Sequence, residues 1–430
     1  MYILSKIIAG TLARIYLWRF RPIIIGVTGN AGKTSTKEMV GAVVRRIKKI
    51  RVAKGNLNNE VGLPFNIINN SADEYYEKGG SFIFGVKTFF KAIFGLFSSD
   101  YPEVLILEYG ADQPGDIKKL ARKYRPHISV VTTVGDVPVH VEFFKEADSV
   151  ANEKSNLVKV LSTSDFAILN HDDHRVLEMK SKTKARVITY GFSEGAEIRP
   201  SDVEYISNEE GQPIGVNFKL NQGGHFIPIM IEGSLGKSQA WSAAAASAVG
   251  LVLEMNLVQI SEALRGYHGP KGRLKILQGI KNSNIIDDTY NASPASTHLA
   301  LETLRDVPAL RKVAVLGDML ELGKYSEKAH FAIGTFAGEI ADVLICVGSR
   351  AKNIASAFSK TVVGSKKEVF VFDNSNDAKS KVRELISEHD LILVKGSQGM
   401  RMEKIVEEIM AHPENKKDLL VRQSRRWLSK

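Results

Sequence analysis

The segment Gly26-Val-Thr-Gly29-Asn30-Ala31-Gly32-Lys33-Thr34-Ser35 places glycines, a lysine and hydroxyls where an apolar run gives way to a helical pattern. Glycines let backbone N–H groups approach phosphate closely, and a helix N-terminus adds a favourable dipole. In such a loop Lys33 neutralises the β- and γ-phosphates and the Thr34 hydroxyl ligates Mg²⁺. The strict phosphate-loop pattern would put glycine at position 27, where Val27 stands instead. The competing reading, a chance glycine-rich turn, fits poorly with the strand–loop–helix context.

Two further groups have the type and position for the same chemistry. Glu108 ends the apolar run Leu105-Ile-Leu, and an acid at a strand end is well placed to hold Mg²⁺ beside phosphates. Taken alone, such an acid is often just solvated. His140, in Val134-Gly-Asp-Val-Pro-Val-His140, follows another strand pattern. A lone histidine is more often structural than catalytic.

The elements that must position these residues can be read from periodicity. Ile3, Leu4, Ile7, Ile8, Leu12, Ile15, Tyr16 and Phe20 predict a first helix with one apolar face, ended by Arg21-Pro22. Ile23–Val27, Val104–Leu107, Ile128–Thr132 and Phe166–Leu169 read as buried strands, with helices from Lys33, near Asn59 and over Ala151–Leu161. Phe82–Phe97 reads as an amphipathic stretch with Lys87 and Lys91 on one side. Residues 185–232 alternate in short segments and predict a small antiparallel sheet. An alanine-rich helix, Ala240–Leu253, and a glycine-rich linker, Gly266–Gly272, follow. Strands at Ile285–Ile286, Val313–Leu316, Val343–Val347, Val369–Phe372 and Leu391–Val394 then alternate with helices. The fold class is therefore α/β, with a central P-loop ATPase-like domain over 23–269 and a Rossmann-like α/β domain over 270–430. A short amphipathic helix, 1–22, precedes them.

Composition narrows the partners. A charged content of 25% and a hydrophobic content of 44% are ordinary for a globular enzyme. The single cysteine, Cys346, excludes an intrachain disulfide. The net charge of +10 favours anionic partners, but no RNA-binding motif or zinc-ligand spacing accompanies it, so nucleic acid is not expected. No apolar run reaches the ~18–20 residues needed to cross a bilayer. A signal peptide is rejected, because a strand starts almost at once, at Pro22–Val27, and cleavage would leave no room for a mature N-terminal region. The expected location is cytoplasmic, with peripheral contact at the inner membrane face through the basic first helix.

The chain resembles the Mur ligase family, from about residue 22 to 411. The loop Gly29-Asn-Ala-Gly32-Lys33-Thr34-Ser35-Thr-Lys-Glu38 is similar to the family's phosphate loop, including its departure from strict spacing. Four segments, in order, resemble the branch that adds D-alanyl-D-alanine. They are Asn58-Asn59-Glu-Val-Gly62-Leu-Pro64, Asp287-Asp288-Thr-Tyr290-Asn291-Ala-Ser-Pro294, Leu316-Gly-Asp318-Met-Leu-Glu321-Leu-Gly323 and Val394-Lys395-Gly-Ser397-Gln-Gly-Met400-Arg401. The resemblance implies ATP and Mg²⁺ as cofactors. It also implies that ATP phosphorylates a peptide carboxylate on a cell-wall precursor and that the amine of D-alanyl-D-alanine, or a similar dipeptide, attacks the acyl phosphate. Glu108 and His140 then correspond to metal or phosphate contacts. Lys154 corresponds to a lysine that these ligases carbamylate, Arg273 to a linker arginine reaching phosphate, and Asp288 and Asn291 to adenosine contacts. Asn58, Asn59, Lys395, Ser397 and Arg401 are the candidates to hold the joining substrates.

Two departures stand out. Gln239 and Ser242 occupy positions where the family has asparagines, which puts base recognition in doubt and predicts looser nucleotide selectivity. Family members also begin with a separate uridine-binding domain, whereas here residues 1–22 alone precede the first strand. Two alternatives stay open: a related ligase acting on a lipid-linked or polyglutamate-type acceptor, and a non-catalytic nucleotide-binding scaffold. The scaffold reading is weakened because Lys33, Glu108 and Lys154 are all present.

Overall fold

A computed structural model of the protein describes residues 2–54, 58–69, 90–111, 113–136, 142, 144, 146–362, 364 and 366–429. It is organised on two sheets. The first grows from β1 (Ile23–Thr28), whose branched apolar residues are buried from Ile24 onward. Parallel neighbours flank it: β3 (Val104–Glu108) on one side and β4 (Ile128–Val131) on the other. The sheet continues outward from β3 to β2 (Ile50–Val52), and from β4 to β5 (Phe166–Asn170) and β6 (Arg186–Tyr190). Because β1 has later strands on both sides, its carboxyl end opens on a topological switch point, where open α/β sheets bind ligands. The phosphate-loop sequence leaves β1 at that end.

The alternating segments expected as a small antiparallel sheet are the antiparallel strands β7 (Ile198–Ser207), β8 (Pro213–Gln222) and β9 (His225–Glu232). They extend the first sheet to nine strands, through the single register pair Tyr190↔Ile198 between β6 and β7. Their alternating side chains, Val216, Phe218 and Leu220, join the same core as β1. Alternation reports that one face is buried; it says nothing about which sheet edge the strand will extend.

Two helices close that core. Lys33–Val44 packs against Lys237–Val252, whose alanines at 240, 243, 244 and 248 are fully buried. Small side chains let the two backbones approach closely. The second sheet, in the order β10-β11-β15-β12-β13-β14, comprises β10 (Lys275–Gln278), β11 (Asn284–Asp288), β12 (Lys312–Gly317), β13 (Val343–Val347), β14 (Glu368–Phe372) and β15 (Leu391–Lys395). All its pairings are parallel except β10 with β11.

The first helix, α1 (Tyr2–Phe20), departs from expectation. Ala9, Ala13 and Tyr16 are buried, yet Ile7, Ile8, Ile15 and Trp18 are exposed. The helix is apolar on both its inner and outer faces, so it is not amphipathic in the sense read from the sequence. Of the stretch expected to be amphipathic over 82–97, residues 82–89 lie outside the described residues; 90–95 are helical.

Candidate active site

The phosphate loop is shaped by two glycines in the left-handed half of backbone space, Gly29 at φ 145° and Gly32 at φ 82°. A Cβ at Gly29 would sit 1.9 Å from Thr132 Oγ1, so only glycine lets the loop lie against β4. The loop is pinned there by Asn30 N–H donating to the Thr133 carbonyl at 2.7 Å, and by Asn30 Nδ2 donating to the Val134 carbonyl at 2.8 Å. Ala31 bridges to Thr133. Gly32 caps the helix that begins at Lys33, and Lys33 Nζ lies 3.4 Å from the Asn30 carbonyl.

Glu108 is brought to the loop by the register of β3 beside β1, in which Val27 faces Glu108. The carboxylate is 3% exposed; Thr34 Oγ1 donates to it at 3.4 Å and Asn58 Nδ2 at 3.2 Å. Asn59 does a different job. Its Oδ1 accepts from the N–H groups of Val61 and Gly62, at 3.2 and 3.0 Å, and so starts the helix Gly62–Ile68. Lys154, in the helix Ala147–Lys159, is buried. Burial, then the nearby Lys33 cation, push its amine down to about 7, against the opposing pull of Glu153 and Glu108. These cations and carboxylates are thus gathered at one end of the first sheet. His140 lies outside the described residues.

Residues after the linker close on this loop. Arg273 NH2 is 3.5 Å from Thr34 Oγ1, and its guanidinium lies 4.0 Å from the centre of the Tyr290 ring. Arg273 Nε is buried without a hydrogen-bond partner. Asp288 accepts from Lys395 Nζ at 2.6 Å and from Leu274 N–H at 3.3 Å. Burial lowers the Lys395 pKa, with Asp288 opposing. A cavity opens between the two sheets, lined among others by Gly32, Gln239, Trp241, Arg273, Asp288 and Lys395. Within it, Gln239 Nε2 donates to the Leu235 carbonyl at 3.4 Å, while Gln239 Oε1 is buried and unpartnered. The Ser242 hydroxyl is already engaged, accepting from Thr36 Oγ1 at 3.2 Å.

Some sequence candidates are committed elsewhere. Arg401 pairs with Glu403 at 2.6 Å and donates to the Trp427 carbonyl at 2.9 Å, so its charge is turned into the C-terminal tail. Ser397 Oγ accepts from Leu320 N–H at 2.9 Å, and Asn291 Oδ1 accepts from Gln398 N–H at 3.3 Å. These contacts knit the second sheet's loops together. Conversely, Thr132, Thr133, Asn170 and Trp241 line the cavity without having been singled out. The first three lie at or just past the carboxyl ends of β4 and β5, the signal that would have found them.

Oxygen donors beside cations suit a hard divalent ion bound partly through phosphate. Among the described residues no group of three or more His, Cys, Asp and Glu side chains is arranged to hold a metal by itself. Thr34 Oγ1 and Glu108 fit a Mg²⁺ that takes its remaining ligands from water and nucleotide.

Nucleotide-loop geometry at a switch point, closed by a second α/β sheet, is the architecture of Mur ligases, and the chain belongs to that family. The Mur ligase middle domain matches residues 90–250, and the Mur ligase glutamate ligase domain matches residues 272–398. The chain is 28% identical to the UDP-N-acetylmuramoyl-tripeptide–D-alanyl-D-alanine ligase of Bacillus subtilis (strain 168), over 94% of this chain and 79% of the relative. Its structure superposes on the MurF crystal structure from Acinetobacter baumannii with a TM-score of 0.76, at 25% identity, covering 94% of this chain and 80% of that one. The Thermotoga maritima MurF ligase in complex with ADP shares the fold, with a TM-score of 0.76 at 24% identity over 95% and 84% of the two chains.

Proposed function

We propose that the protein uses ATP to join a peptide carboxylate of a cell-wall precursor to D-alanyl-D-alanine. The observation that carries the reading is a pair of unpartnered buried atoms, Arg273 Nε and Gln239 Oε1, on two residues that line one cavity. A buried donor on a cation suits a phosphate; a buried acceptor suits the amino group of a base. ATP transfers its γ-phosphoryl group to the carboxylate, giving an acyl phosphate and ADP. The amine attacks the acyl carbon, phosphate leaves, and the attacking nitrogen loses a proton. Mg²⁺ on Thr34 and Glu108 supplies charge neutralisation at the phosphates. Lys33 and Arg273 bring fixed cations to the oxygens where charge develops, the main task in phosphoryl transfer. Asn58 holds the Glu108 carboxylate in place. The central domain, 23–269, binds ATP and the C-terminal domain, 270–430, closes over it with the amine substrate.

The acceptor carries its peptide on a uridine diphosphate or a lipid carrier. Its chemistry takes place in the cytoplasm, with peripheral contact at the inner face of the membrane. Incubation with ATP, D-alanyl-D-alanine and each precursor type, followed by mass spectrometry, tests the reading. The expected product gains the mass of the dipeptide less water, with ADP and phosphate formed in equal amount. ATP turnover without any amide product from either precursor would exclude it.

Base selectivity follows from the same cavity. With Ser242 engaged by Thr36, Gln239 Oε1 is the acceptor left for the adenine amino group. Guanine would set its own carbonyl oxygen there. One neutral hydrogen bond of about 0.5–1.5 kcal/mol gives an ATP preference of roughly twofold to tenfold. The expected kcat/KM ratio for ATP over GTP is about that size, and Gln239→Ala brings it close to unity. A several-hundredfold preference surviving in Gln239→Ala would show that other groups read the base.

A further inference from the structure

We propose that the outer face of α1, with the adjoining turn after residue 90, is a docking surface for an anionic lipid bilayer. The inference goes beyond ligation by assigning the membrane-contacting surface, and it does not depend on the catalytic reading. The inner face of α1 is already fully used. Tyr16 Oη donates to the Ala92 carbonyl at 2.6 Å, Phe20 stacks on Tyr101 at 4.3 Å between ring centres, and Ala9 and Ala13 are buried. The outer face nevertheless carries Ile7 at 59% exposure, Ile15 at 40% and Trp18 at 73%. Positions 7, 11, 15 and 18 follow helical spacing, so these side chains share one stripe. The neighbouring helical turn adds Phe94 at 72% and Phe97 at 84% exposure. A helix apolar on both sides belongs in a protein core or in lipid. Among the described residues no helix is long and apolar enough to cross a membrane; a helix lying in the plane of the interface buries such a face without spanning.

Charge selects the occupant. Residues 2–21 contain Lys6, Arg14, Arg19 and Arg21 and no acid, and Lys91 lies on the adjoining turn. Arg14 and Trp18 line one shallow groove on the outer face with Thr11 and Ile15. A Cβ on Gly10 would lie 3.5 Å from Tyr124 Oη, so α1 passes beside the end of the helix Asp116–Lys123, whose last turn carries Arg122 and Lys123. Indole rings prefer the headgroup level of a bilayer, and cations around exposed apolar side chains meet anionic headgroups. A protein partner would need an apolar surface ringed by acids; a bilayer with anionic lipid supplies both chemistries at once.

Flotation of the whole protein with phosphatidylcholine vesicles, with and without phosphatidylglycerol, tests this. Binding is expected to the phosphatidylglycerol vesicles and to weaken as salt rises. Ile15→Ser with Trp18→Ser, and separately Phe94→Ser with Phe97→Ser, should each lower the bound fraction by roughly tenfold, with the melting temperature retained. Equal binding to both vesicle types, unaffected by salt, would overturn the anionic assignment. So would a protein that stays in the soluble fraction at low salt. A dimer in light scattering that Ile15→Ser with Trp18→Ser makes monomeric, without vesicle binding, would assign the face to a second copy of the chain instead. Ligation activity enters none of these readouts, so failure here leaves the proposed reaction standing.

Discussion

Lys33→Ala is expected to lower ligation by about a hundredfold to ten-thousandfold while leaving the protein folded. Removing a preorganised cation from the place where charge develops in phosphoryl transfer costs roughly 3–5 kcal/mol of transition-state stabilisation. The fold does not depend on this side chain. The loop is shaped by Gly29 and Gly32 and pinned to β4 by backbone and Asn30 contacts, none of which the substitution removes. The helix gains a better helix former at its first position. Arginine is not an equivalent replacement, because its planar fork differs from the compact ammonium in hydration and reach. The measurement is D-alanyl-D-alanine-dependent release of phosphate, with thermal melting as the fold control. A folded Lys33→Ala protein that ligates at the wild-type rate would remove the phosphate-loop assignment.

The second large effect is expected at Lys154. We propose that its amine captures CO₂. The ammonium first loses a proton; the neutral nitrogen then attacks the carbon of CO₂ and a second proton is lost, so the side chain changes from a cation to a carbamate anion. The reacting form is the neutral amine, and an ordinary lysine has almost none near neutrality. Burial and the Lys33 cation push Lys154 down to about 7, which puts a substantial neutral fraction at physiological pH. The sign follows directly. At fixed dissolved CO₂, carbamate occupancy rises as pH rises through about 7 and falls below it. An anion at this buried position also relieves the repulsion between Lys154 and Lys33. Lys154→Ala is expected to lose activity by roughly a hundredfold or more. A short carboxylic acid should restore part of it by returning an anion to the vacated space. A ¹³C resonance from labelled CO₂ on the wild-type protein, absent in Lys154→Ala, reads the adduct without reference to turnover. Full activity of Lys154→Ala in CO₂-depleted buffer would end this role.

Much of the architecture was legible from sequence because it is encoded over short distances. Apolar runs bounded by glycine and charge located five of the six strands of the second sheet, and the phosphate loop was recognisable between a strand and a helix. Those patterns report local hydrogen bonding and which face is buried. They do not report where a strand joins a sheet, so the alternation of β7–β9 could not show that Tyr190 and Ile198 tie them to the first sheet. Weakly apolar edge strands such as Ile50–Val52 and Lys275–Gln278 were missed for the related reason that their segments lack a buried run.

For the candidate site, the sequence by itself determined the chemical repertoire: the loop glycines, Lys33, Thr34, Glu108, Lys154 and Arg273. Only the tertiary structure decided what those groups can do. It brought Arg273 within 3.5 Å of Thr34 across 239 positions of chain, and left Arg273 Nε and Gln239 Oε1 without partners on residues that line a shared cavity. It turned Arg401 away into Glu403 and the tail, although its motif had suggested a substrate contact. It also showed that α1 buries Ala9, Ala13 and Tyr16 and leaves Ile7, Ile15 and Trp18 exposed. Residue type sets the charges and donors available. Desolvation, and which donors are already taken, are properties of packing between distant segments, and these decide whether a lysine reacts, an amide reads a base or an arginine remains open to substrate.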